Sequence, residues 1–213
     1  MLIPGAKELF LLPSLLYTQI NTTSQLSPEK AKNATKNILK CLSDLAEEAH
    51  KVYQFSKLLI DTSPFFGGGT HLAWEAAEAL IIPVRVDQHS MEALKLTLDM
   101  LRNRSMDYVR INEAAGIKSV PKVHAIAMTH CGWLRQSKFT PDRSTQAYLQ
   151  KVCYTVNEYK DLFSDEDPLK CIHLLDDFHS AGRISGTERI PLAKLNVGDT
   201  FVIQGQRLKV NIS

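Results

Sequence analysis

Four cysteines are too few and too scattered to staple this chain or to chelate for it. Cys41, Cys131, Cys153 and Cys171 form no Cys-x-x-Cys pair. That excludes the familiar zinc frameworks and argues against a disulfide scaffold. Reduced thiols in a cytoplasmic protein are the expectation. No apolar run approaches the ~20 residues of a membrane span. The opening stretch from Met1 to Leu16 is broken by Pro4, Lys7, Glu8 and Pro13. It lacks the basic start and small-residue cleavage site of a secretory signal. Neither sign of charge dominates: the net +2 does not by itself point to a nucleic-acid partner. There is no Gly-x-Ser-x-Gly elbow and no catalytic cysteine signature. No internal repeat or low-complexity tract is visible. The absence with the largest consequence is a phosphate-cradling Gly-rich loop followed by Lys and Ser/Thr. Gly67-Gly68-Gly69-Thr70 is followed by no Lys, and Gly116-Ile117-Lys118-Ser119 has neither the upstream Gly nor a leading strand.

What is present is ordinary globular material. The 213 residues, 44% hydrophobic and 23% charged, suit one domain spanning 1–213, with the tail from about 190 to 213 as an appendage at a sheet edge. Apolar runs predict strands at about 9–13, 55–61, 80–86, 123–129 and 170–175. Between them lie amphipathic helices. Ser27-Pro28 opens one whose Ala31, Ala34, Ile38, Cys41, Leu42 and Leu45 share a face. Thr70 is expected to cap a helix through about Ala79. Ser90 is expected to cap one carrying Met91, Leu94, Leu98 and Leu101, and Pro141-Asp142 leads into another. Strands alternating with helices imply an α/β fold with a mostly parallel, doubly wound sheet. Gln204-Gly205-Gln206 reads as the turn of a C-terminal β-hairpin.

Charge is unevenly spread. Arg102, Arg104, Arg110, Lys118, Lys122, Arg135, Lys138 and Arg143 stand against three acids between 102 and 143. Six acids and one Lys follow between Asp161 and Asp177. A solvated face is the plain reading of each run, and weak attraction to DNA is the functional reading of the first. Asp61, after the apolar Leu58-Leu59-Ile60, reads either as a Mg²⁺-holding carboxylate at the C-terminal edge of a strand or as a turn Asp. Gly67–Thr70, before a helix, reads as an anion-binding turn or a flexible one. His124, His130, His173 and His179, near Asp176 and Asp177, fit no standard metal spacing. Trp74 and Trp133 read as packing residues.

One segment resembles a known family. Leu58-Leu59-Ile60-Asp61-Thr62-Ser63-Pro64, then Glu75-Ala76-Ala77-Glu78 and Leu80-Ile81-Ile82-Pro83-Val84, is similar to the ParA-type partitioning ATPases of the ParA/MinD/Soj group. In that family an Asp-x-Pro-Pro turn follows a metal-side strand, and an Ala-Ala-Asp helix end leads into an Ile-Pro-Val strand. Leu11-Leu12-Pro13-Ser14 resembles the family's Leu-Ile-Pro-Ser strand, and Ser90-Met91-Glu92-Ala93-Leu94 its Ser-x-x-Gly-Leu helix start. The likeness runs from about Leu9 to Leu175. Ser63 stands for the first Pro of the turn, Glu78 for the Asp of the helix end, and Ala93 for Gly. Thr129-His130 stands where some members place an adenine-contacting Asn.

The resemblance implies a P-loop-NTPase-like, Rossmann-like three-layer sheet lacking the P-loop strand. It implies a chromosome or plasmid partitioning protein, N-terminally shortened or degenerate. Asp61 carries over as a Mg²⁺ carboxylate, with Thr62 and Pro64 close to the nucleotide. Full-length relatives use ATP and Mg²⁺; without the signature loop no cofactor is expected on this chain and no ATP turnover from it alone. The implied partners are a second copy in a dimer, non-specific DNA, and a complete ParA relative or partition adaptor. Two other readings stand beside it: a non-catalytic dimerisation or regulatory module on the same fold, and an unrelated small α/β enzyme.

Overall fold

The computed structural model describes residues 12–62, 66–134, 140–176 and 178–210. The chain opens with two helices, α1 (Leu12–Thr23) and α2 (Pro28–Tyr53). The strand expected at 9–13 is helix where it is described, and its first residues lie outside the described part. Pro13, taken from sequence as a strand breaker, sits instead in the first turn of α1, where the missing N–H has no helical partner to lose. Ser27-Pro28 does open α2, and the helix ends where Gln54 turns left-handed at φ 50° and donates its N–H to the His50 carbonyl at 2.7 Å.

A short α3 (Gly68–Ala76) follows. Gly67 is its N-cap, so Thr70 lies buried inside the helix rather than capping it. Then come β1 (Ala79–Arg85), α4 (Gln88–Arg102), α5 (Asp107–Ala114), β2 (Lys122–Cys131), α6 (Arg143–Glu158) and β3 (Ile172–Asp176). The caps of α4 and α6 share one device. Asp87 accepts from the Ser90 N–H and Asp142 from the Thr145 N–H, each at 2.8 Å. Asp87, three residues before the expected Ser90, is therefore the true N-cap of α4.

The three strands form a parallel sheet in the order β1-β2-β3, with register shifts between Leu80 and Ile81 and between Met128 and Cys131. This is narrower than the five strands expected. Residues 55–61 form no strand and no helix, and Leu59 is 85% exposed. Among the described residues the sheet is also not doubly wound. Met91, Leu94, Leu98 and Leu101 of α4, Val152, Val156 and Tyr159 of α6, and Trp74 of α3 pack with Val84, Val123, Ile126 and Met128 on one face. The other face carries Ile81, Pro83, His173 and Leu175, all exposed, around the partly exposed Ala125 and Ala127. Parallel sheets ordinarily bury both faces.

A second core joins α1, α2, α3 and α5 through Leu16, Leu39, Leu72, Ile111 and Ile117. The hairpin is present as β4 (Thr200–Ile203) and β5 (Gln206–Lys209). Gln204 and Gly205 take φ of 51° and 77°, the positive pair a two-residue hairpin loop requires. It is not an edge of the main sheet, however. It forms its own two-stranded sheet and packs with α7 (His179–Glu188) through Ala181, Ile184, Ile203 and Val210.

The end of α5 is built with care because a polar cluster hangs on it. Gly116 adopts φ 71°, donates to the Glu113 carbonyl at 2.9 Å, and lets Ile117 donate to the Asn112 carbonyl at 2.8 Å. This is a Schellman closure. A methyl at Gly116 would also press on the Lys32 side chain. Gly116→Ala is expected to cost about 1–2 kcal/mol, mainly from the left-handed backbone, since Lys32 has a flexible chain that can move. Urea melts of the two proteins would check it.

Candidate functional site

Two pairs of polar residues, each spaced four apart, face one another across α3 and α5. A spacing of four puts side chains on one helix face. His71 and Glu75 come from α3, Tyr108 and Asn112 from α5. His71 and Tyr108 are fully buried and Asn112 nearly so. The Asn112 amide bridges the pairs. Its oxygen lies 2.9 Å from His71 Nε2, and its nitrogen donates to Glu75 Oε2 at 2.8 Å.

An amide oxygen only accepts, so His71 Nε2 must carry the proton. Its Nδ1 is then a bare lone pair, buried without a partner among the described residues. Burial holds the His71 pKa below the ordinary 6.5, against a smaller upward pull from the Asn112 bond and the Asp107 charge. Burial likewise raises the Glu75 carboxyl above 4.5, opposed by Asn112 and Lys40. Aromatic rings close the cluster. The ring of Tyr108 lies 4.8 Å from that of His71 and 5.3 Å from that of Trp74, centre to centre.

The cluster borders two hollows. Glu75 and Trp74 help line one of about 230 Å³, against Ser119, Val120 and Pro121. Tyr108 and Asn112 help line another of about 580 Å³ whose mouth carries Arg102, Arg104 and Lys118. His71 lines neither of these two, whereas the Glu75 carboxylate borders the smaller. The arrangement ties α3 to α5 through the Asn112 amide bridge.

The Tyr108 hydroxyl and Trp133 Nε1 are also buried without a partner among the described residues, the Asn112 amide beside Tyr108 being committed to His71 and Glu75. Burial and the Glu75 charge hold the Tyr108 pKa well above the ordinary tyrosine value, against a smaller downward pull from the neighbouring Asn112 amide. Tyr159 is the contrast: its hydroxyl donates to Asp99 at 2.5 Å, and burial and that bond push its pKa up to about 12. Removing an unsatisfied buried group is neutral or stabilising, whereas breaking a bond to a carboxylate costs about 1.5–3 kcal/mol. Tyr108→Phe is therefore expected to gain up to about 1 kcal/mol at neutral pH, and Tyr159→Phe to lose stability. Both folded pKa values lie above the unfolded value of 10.0, so their contributions are full below pH 10 and are lost as pH rises through that region. The advantage of Tyr108→Phe should grow above pH 10, which melts at pH 7 and pH 10.5 would measure.

The residues expected from sequence to form a site do not gather here. Asp61 and Thr62 are exposed on an irregular segment, not at a strand end, and Pro64 lies outside the described residues. The expected geometry failed because the strand that would present Asp61 does not join the sheet. Three of the basic residues, Arg102, Arg104 and Lys118, border the larger hollow, and several are paired locally. Arg102 binds Asp161 at 3.3 Å, Arg104 binds Glu113 at 3.2 Å, and Arg110 binds Asp107 at 2.6 Å. Lys122 donates to the Asp161 carbonyl at 2.6 Å. Lys118 borders the larger hollow, while Arg143 starts α6, whose other end receives Arg102. Arg135 and Lys138 are outside the described residues.

No group of three or more His, Cys, Asp or Glu able to hold a metal occurs among the described residues. No described helix is long and apolar enough to cross a membrane. In the sequence these four residues of the cluster, His71, Glu75, Tyr108 and Asn112, carry one shared signal, the matched spacing of His71 to Glu75 and of Tyr108 to Asn112. No protein-family model, no curated protein and no solved structure matches this chain.

Proposed function

We propose that this chain is a non-catalytic interaction module on a ParA-like α/β scaffold, one that associates with a second copy or a ParA-type relative and does not turn over ATP by itself. The observation that carries the reading is the sheet. One face is packed to near-zero exposure, yet the opposite apolar face and both outer edges are open among the described residues. A parallel sheet left open in this way is completed by association. The sequence supports the ParA ancestry through the Ala76-Ala77-Glu78 helix end and the Ile82-Pro83-Val84 strand. It supports the lack of turnover through the missing phosphate loop, because phosphoryl transfer rests on positioning and charge stabilisation around the phosphates.

The DNA contact implied by the basic stretch has less support, given that four of its residues are engaged locally. The test is phosphate release with Mg²⁺-ATP. The expected result is no turnover above buffer, unchanged by Asp61→Ala. Turnover abolished by Asp61→Ala would replace the module reading with an ATPase.

A further inference from the structure

The most anomalous part of the molecule is the stretch after α2. Leu58 and Leu59 are 48% and 85% exposed, and residues 56–62 make no backbone hydrogen bond to another described residue. Unpaired and apolar at Leu58-Leu59-Ile60, it has the composition of a strand without a sheet. The same molecule has a sheet with unpaired edges.

The two edges are not equivalent. The Glu78 carbonyl accepts from Lys122 of β2 at 3.1 Å. Backbone groups alternate sides along a strand, so residues 80, 82 and 84 face β2 while 81, 83 and 85 face outward. The outward row of β1 thus contains Pro83, which has no N–H, and the Arg85 carbonyl, which is already taken by the Asp87 N–H at 2.8 Å. This edge is blunted. The outer edge of β3 has no proline, and none of its five residues is buried. Charge selects the direction of pairing. Laid antiparallel on β3, Lys57 stands opposite Asp176, Leu59 opposite Leu174, and Asp61 beside Ile172 near Lys170. Laid parallel, Asp61 meets Asp176.

We propose that Lys57–Asp61 is an exchanged strand, which in a two-fold dimer pairs antiparallel with the outer edge of β3 of a second copy. Five residues span about 17 Å, the length of β3. The exchange is isologous, since each copy offers both the segment and the edge. It covers Leu58 and Leu59 and extends the open face at Leu175. This inference rests on the interaction-module reading and names its surface.

The test uses the full chain. Light scattering over a dilution series should give about twice the 23.9 kDa chain mass at high concentration. Amide exchange at residues 58–60 should slow at least ten-fold as the dimer forms. Leu59→Asp should return the mass to that of one chain with an unchanged melting curve, because Leu59 is 85% exposed in the single chain. Lys57→Asp should weaken the dimer ten-fold or more, and adding Asp176→Lys should restore it. The proposal is overturned by a single-chain mass throughout, by protection of 58–60 that persists on dilution, or by a dimer indifferent to Leu59→Asp and Lys57→Asp. Phosphate release, which tests the module reading, is moved by none of these outcomes.

Discussion

Asn112→Ala lowers the unfolding free energy by about 3 kcal/mol, although it deletes only one side-chain amide. The size comes from what the substitution strands. Asn112 is the sole link between His71 Nε2 and Glu75 Oε2 among the described residues. Without it a buried N–H and a half-buried carboxylate both lose their partner, at about 1–3 kcal/mol each, with some relief from water reaching Glu75. The pH profile carries a second signature. The folded pKa of His71 is depressed, so its contribution to stability is full above the ordinary 6.5 and falls as pH drops through that value. The folded pKa of Glu75 is raised, so its contribution is full below 4.5 and is lost as pH rises through the folded value. The Asn112 bond opposes both shifts. Asn112→Ala should therefore steepen the loss of stability below pH 6.5 and deepen the cost of ionising Glu75. Urea melts from pH 4.5 to 8 would read both. A change under 1 kcal/mol would mean that water replaces the amide and that the cluster does not lock α3 to α5.

Leu98→Ala costs about 3–4 kcal/mol, which for a chain of this length lowers the melting temperature by roughly 10 °C. Leu98 is fully buried on α4, against the sheet face formed by Val84, Ile126 and Met128. Truncation removes its transfer energy and leaves a cavity between helix and sheet that neither can close. Leu59→Ala is the control. The chemical change is identical, but Leu59 is 85% exposed and contributes almost nothing to the single chain. Thermal melts at low concentration should separate the two by the full cost of Leu98. Equal losses would place residue 59 in the core and remove the basis for an exchanged strand.

Periodicity made much of the local structure legible. The face of α4, the start of α6 at Pro141-Asp142, the strands β1, β2 and β3 to within two or three residues, and the two-residue turn at Gln204-Gly205 all follow from apolar spacing and turn chemistry, which act over a few residues. The face expected of α2 does not, since α2 buries Thr35 and Leu39 while Cys41 and Leu45 are exposed. Cap positions were less legible. Asp87 rather than Ser90, and Gly67 rather than Thr70, begin their helices, because the choice among neighbouring polar residues depends on where the chain enters the fold.

The number of strands and the site were decided by tertiary structure. Leu58-Leu59-Ile60 has the local preference of a strand, but a strand exists only with a neighbour, and the nearest edge in the chain order carries Pro83 facing outward. Asp61 thereby lost the strand end that the ParA resemblance assigns it. Arg102, Arg104 and Arg110 count as a basic run in one dimension and as local ion pairs in three. His71 and Asn112 are 41 residues apart. Their spacing partners mark two helix faces, and only the packing of α3 on α5 turns those faces into one buried bridge, because a hydrogen bond is specified by position within a few tenths of an ångström and not by composition.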